Sequence, residues 1–93
     1  MPQYRVHLLP PAIEAIRHLP PALKRDMKQA CRILADDPHA GEPLQRELRG
    51  LWKYRIRRFR VVYRLVANER IIQILAIGPR ANIYDVVRGF YRN

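Results

Sequence analysis

The order of apolar and polar residues divides the chain into short, distinct segments. Gln3-Tyr4-Arg5-Val6-His7-Leu8 alternates, with Tyr4, Val6 and Leu8 on one side and Arg5 and His7 on the other. That is the period of a half-buried strand. Pro10-Pro11 stops the strand and suits the first turn of a helix, whose apolar stripe would be Ile13, Ile16 and Leu19. Pro20-Pro21 separates a second helix, in which Leu23, Met27, Ala30, Cys31 and Leu34 recur on one face. Asp36-Asp37-Pro38 ends it, because proline disfavours helical backbone at the residue before it. The other faces carry Lys24, Arg25, Lys28 and Arg32, so the two helices read as an antiparallel hairpin.

After a loop over residues 38–44, holding Pro38, Gly41 and Pro43, the period changes to two. Trp52, Tyr54 and Ile56 alternate with Lys53, Arg55 and Arg57; Phe59, Val61, Tyr63 and Leu65 alternate with Arg60, Val62 and Arg64. Asn68-Glu69 marks a turn. Ile71–Ile77 is then a near-continuous apolar run, as in a central strand covered on both faces, and Gly78-Pro79 ends it. Residues 82–90 suit a last short helix with Ile83, Val86, Val87 and Phe90 apolar. The predicted class is α+β: an N-terminal strand, a helical hairpin, a three- to four-stranded antiparallel sheet and a short C-terminal helix. The hairpin of helices packs on one sheet face, and the other is expected to be open. Ninety-three residues suit one domain, since two would each be too small for a core of their own.

Charge changes the picture most. Eighteen Lys and Arg against eight Asp and Glu give +10. Residues 1–44 carry a net +1 and residues 45–93 a net +9, and every basic residue of the second half except Lys53 is arginine. A concentrated guanidinium field points to a polyanionic partner, nucleic acid or an acidic protein segment. Cys31 is the single cysteine, so no internal disulfide forms, and it reads as a packed thiol. His7, His18 and His39 are scattered, without metal-ligand spacing, so no metal or other cofactor is expected. Residues 1–9 lack a secretion signal and the apolar run is too short to span a bilayer, so a soluble, cytoplasmic protein without a membrane partner is expected.

The arginine hairpin has an arguable register. A two-residue turn at Arg57-Arg58 sets Ile56 opposite Phe59, Arg55 opposite Arg60, Tyr54 opposite Val61, Lys53 opposite Val62 and Trp52 opposite Tyr63. Apart from Val62, the apolar members then share one face, which selects this register. Arg55 facing Arg60 is a repulsive cross-strand pair unless an anion lies between them. The pair is thus a candidate phosphate site, flanked on its face by Lys53 and Arg64.

Leu48-Arg49-Gly50-Leu51-Trp52-Lys53-Tyr54-Arg55-Ile56, then Phe59-Arg60-Val61-Val62-Tyr63-Arg64, then Ile74-Leu75-Ala76-Ile77-Gly78-Pro79-Arg80 with Tyr84 beyond, resemble the signature of the RelE/ParE toxin superfamily. Together with the element order, the resemblance covers nearly the whole chain. It implies a type II toxin whose antitoxin wraps it with a C-terminal segment, in a toxin–antitoxin hetero-oligomer. In the RelE branch it implies an endoribonuclease acting in the ribosomal A site, where the ribose 2′-hydroxyl attacks the adjacent phosphate without metal. By position, Arg55, Arg60, Arg80 and Tyr84 would be catalytic. Lys53, Arg57, Arg58 and Arg64 would bind RNA, with Lys53 a candidate base because cationic neighbours lower a lysine's pKa. Many relatives have glycine where Arg57 stands. The same strands serve a gyrase-binding ParE toxin without nuclease activity, or a degenerate toxin that binds only its antitoxin.

Overall fold

A computed structural model describes residues 3–90. Apart from β2, which forms inside the expected loop over residues 38–44 by pairing with the next strand, the elements follow the sequence pattern: β1 (Arg5–Leu8), α1 (Pro10–Arg17), α2 (Pro21–Asp36), β2 (Glu42–Pro43), β3 (Leu51–Ile56), β4 (Phe59–Val66), β5 (Ile71–Pro79) and α3 (Ile83–Phe90). The α+β class stands, with the sheet ordered β1-β5-β4-β3-β2. β2 to β5 form the antiparallel part. The N-terminal strand joins the same sheet in parallel, with Val6 beside Ile72 and Leu8 beside Ile74. Parallel strands cannot be joined by a tight turn: the chain leaves β1 through α1 and α2, and β2, β3 and β4 intervene before β5.

Both helices begin on proline, which has no amide hydrogen to leave unsatisfied in the first turn. They cover one sheet face. Ala12, Leu19, Met27, Ala30 and Leu34 meet Ile56, Val61, Tyr63, Ile72, Ile74 and Ile77 there. One expected core residue is displaced: Ile13 is 43% exposed, and Ala12 is buried in its place. The packed stripe of α1 runs through Ala12, Ala15 and Ile16 and continues in Leu19 just past its end, and its two alanines let the helix lie close to β5.

The second face is not open as expected. Leu51, Val62, Leu75 and Ala76 form a second core there with Leu48 and with Ile83 and Val87 of α3. Val62, the apolar exception in the hairpin pattern, is fully buried beneath that cover. α3 is strongly amphipathic and shields only part of the face, leaving the arginine end of the hairpin uncovered.

The apolar run of β5 serves both cores through a register shift against β4. Val62 pairs with Ala76 but Tyr63 with Ile74, so Leu75 is an extra residue on β5. Such a bulge reverses the alternation of side chains along a strand. Ile72 and Ile74 therefore share the α1–α2 face with Ile77, while Ala76 and Gly78 turn to the face of Val62 and Arg60.

An arginine-lined recess at the hairpin tip

The predicted hairpin register is the observed one at every pair, from Ile56 with Phe59 to Trp52 with Tyr63, and it extends to Leu51 with Arg64. The two-residue turn Arg57-Arg58 closes it. Arg57 adopts a left-handed backbone at φ 54°, the conformation that glycine takes most easily.

Arg55, Arg57, Arg58, Arg60 and Arg80 line one recess of about 430 Å³. Three features bring them together. The cross-strand register sets Arg55 beside Arg60. The bulge at Leu75 places Gly78 opposite Arg60, with no side chain to fill the space between strands. The Arg80 amide then donates to the Arg58 carbonyl at 3.2 Å, which holds Arg80 at the hairpin turn. The guanidinium groups are organised by backbone oxygens. Arg55 Nε donates to the Arg57 carbonyl at 3.2 Å, and Arg60 Nη1 donates to the carbonyls of Phe59 at 3.1 Å and Arg57 at 3.5 Å. Asp26 of α2 meets Arg57 Nε at 2.8 Å. The recess thus presents five guanidinium groups, one of them paired with a carboxylate from α2, and guanidinium forks suit the oxygens of a phosphate-sized anion.

The remaining predicted residues lie elsewhere. Lys53 and Arg64 share the face of Arg55 but do not line the recess. Lys53 is registered against Glu42 of the edge strand β2. Arg64 donates through Nε to Gln73 Oε1 at 3.1 Å and through Nη2 to the same oxygen. Tyr84 stands at the start of α3, partly buried against the second core. The histidines are dispersed: His18 contacts Glu14 at 2.9 Å, and the His39 ring meets the Trp52 ring edge-on. Among the described residues, no three His, Cys, Asp or Glu side chains gather as a metal site would require. Burial pushes the Cys31 thiol up, away from the reactive thiolate. Asp26 was not marked out by the sequence, where it is one polar residue of a basic helix, distant along the chain from the turn it meets.

This fold is that of the RelE/ParE toxins. The toxin–antitoxin complex RelBE2 of Mycobacterium tuberculosis contains a chain 29% identical, with a TM-score of 0.78 over 87% of this chain and 95% of that one. The archaeal RelE–RelB complex of Pyrococcus horikoshii contains one 27% identical, with a TM-score of 0.71 over 84% and 96%. A RelE-like toxin protein of Escherichia coli is 24% identical over 88 residues, 90% of this chain and 93% of its own length. The family model described as the ParE toxin of the type II toxin–antitoxin system parDE matches residues 6–84. The chain belongs to that family and is a type II toxin of the RelE/ParE superfamily.

Proposed function

We propose that this toxin is an endoribonuclease that cuts mRNA in the ribosomal A site, and that the arginine recess holds the scissile phosphate. The observation that carries this reading is the convergence of Arg55, Arg57, Arg58, Arg60 and Arg80 on one recess. In the reaction the ribose 2′-hydroxyl gives its proton to water as its oxygen bonds to phosphorus, the bond to the 5′-oxygen breaks, and that oxygen takes up a proton from water, so that no proton is gained or lost overall. The products are a cyclic phosphate and a 5′-hydroxyl. Negative charge grows on the non-bridging oxygens, and preoriented guanidinium groups stabilise it there without reorganising. Arg55, Arg60 and Arg80 are assigned to those oxygens. Arg57 and Arg58 at the turn, with Lys53 and Arg64 farther along the face, are assigned to flanking phosphates. Tyr84 is assigned to seating α3. Arginine is a poor base, so rate acceleration rests on charge and position, with the ribosome bending the substrate.

The partner is proposed to be a cognate antitoxin whose C-terminal segment wraps the toxin in a hetero-oligomer. The toxin–antitoxin complexes among its structural relatives support this. No helix among the described residues is long and apolar enough to cross a membrane; a cytoplasmic site of action is proposed from the ribosomal target.

One observation favours a second reading, a gyrase-binding toxin: the matching family model is that of ParE. Translating ribosomes decide between the two. Adding the toxin is expected to yield mRNA cut within A-site codons, and Arg60→Ala or Arg80→Ala to abolish the cuts. Intact mRNA with trapped gyrase–DNA complexes would overturn the nuclease in favour of the second reading.

A further inference from the structure

Asp26 lies on α2, outside the sheet that builds the arginine recess, yet its carboxylate holds Arg57 at 2.8 Å. Arg57 is the turn residue with left-handed backbone, φ 54°. Its side chain goes to Asp26, while its carbonyl points back to the two cross-strand arginines. That one oxygen accepts from Arg55 Nε at 3.2 Å and from Arg60 Nη1 at 3.5 Å. Arg55 and Arg60 are direct partners across the hairpin. Like charges in that position repel, and the shared carbonyl draws both guanidinium groups to one acceptor. The path is continuous: the α2 carboxylate fixes the Arg57 side chain, the side chain helps hold the turn, and the turn carbonyl gathers Arg55 and Arg60. Glycine would take the turn conformation more easily but would sever the link to α2.

We propose that Asp26 is a positioning residue of the recess, acting through Arg57 to set the guanidinium groups of Arg55 and Arg60 around one anion position. This rests on the reading of the recess as a phosphate site. It also separates two effects of opposite sign. As a negative charge beside a polyanion site, Asp26 weakens electrostatic attraction. As an anchor of the turn, it preorganises the groups that meet the developing charge. Removing it is therefore expected to leave or improve RNA affinity while lowering turnover.

Asp26→Asn, Asp26→Glu, Arg57→Gly and the double variant Asp26→Asn/Arg57→Gly test this, using full-length toxin with arginine side chains labelled with ¹⁵N. In Asp26→Asn the Arg55 Nε–H resonance is expected to shift and exchange faster with water. On ribosomes the turnover rate should fall about tenfold with KM lowered or unchanged, the pattern of lost transition-state positioning. Asp26→Glu should recover part of both. In the Arg57→Gly background, Asp26→Asn should add nothing, since the link is already cut. Unmoved Arg55 and Arg60 resonances in Asp26→Asn would overturn the proposal, as would an undiminished effect of that change in the glycine background. If the resonances respond as expected but the wild-type toxin leaves mRNA intact, the positioning role stands and the nuclease reading fails.

Discussion

Arg57 shows how one residue can carry opposing demands. Left-handed backbone costs an L-residue about 1–2 kcal/mol, and glycine would remove that cost. The pair with Asp26 is largely exposed, with Arg57 63% accessible, so it returns at most about 1 kcal/mol. Glycine also adds conformational freedom to the unfolded chain, worth about 0.4–1 kcal/mol. Arg57→Gly is therefore expected to leave stability within about 1 kcal/mol of wild type in urea denaturation, while removing one cation from the recess. Tyr63 is a second such residue. Its side chain is fully buried, and its hydroxyl donates to the Pro38 carbonyl at 2.9 Å and accepts from the Gly41 amide at 3.1 Å. Burial is the largest influence on it and pushes its pKa up from 10.0 to about 12. The folded state thus holds this proton more tightly than the unfolded chain. Its contribution is complete below pH 10 and is lost as pH rises towards 12. Tyr63→Phe should cost about 1–3 kcal/mol at neutral pH, through two groups left without their partner. The same variant should flatten the fall in stability in that alkaline window.

Among the elements, β5 and α3 decide the most. The extra residue at Leu75 lets one strand supply Ile72, Ile74 and Ile77 to one core and Ala76 to the other. It also brings Gly78 opposite Arg60. A Cβ on Gly78 would stand 3.2 Å from Ile83 Cδ1, so α3 is seated close above the strand. Ile83→Ala should therefore cost about 2–5 kcal/mol, measured by denaturation, and loosen the cover beside the recess. The entry to the edge strand β2 is equally tight. A Cβ on Gly41 would meet the Lys53 carbonyl oxygen and the Tyr63 hydroxyl well inside contact distance. Backbone cannot give way cheaply there, so Gly41→Ala is expected to destabilise by about 1–3 kcal/mol, although the position is only half-buried.

At the scale of the molecule, the net charge is +10, and five of its arginines gather at one end of one sheet face. Binding to single-stranded RNA should be steeply salt-dependent. If the five arginines of the recess each release one counterion, log K against log salt falls with a slope of about −3.5. Arg60→Ala should make that slope shallower by about 0.7. A slope unchanged by the substitution would place the RNA elsewhere on the basic surface.

Much of this was written locally. The hairpin register follows from side-chain parity, because a slip of one residue would turn Trp52, Tyr54 and Ile56 out of the core. The helix starts follow from Pro10 and Pro21, the end of α2 from Asp36-Asp37-Pro38, and the basic bias of the second half from composition. The facing arginines Arg55 and Arg60 came from the same parity. What needed the tertiary structure was every relation between distant segments. The parallel pairing of β1 with β5, the covering of Val62 by α3, the displacement of Ile13 by Ala12 and the contact of Asp26 with Arg57 have no local period to reveal them. The bulge at Leu75 belongs with these. A run of apolar residues satisfies either face, and only the demand of two cores at once selects which residue is extra. The sequence thus determined that arginines would face one another across a hairpin. The fold decided which of them share a recess, because burial on both sides of the sheet sets where β5 turns over and where Arg80 arrives.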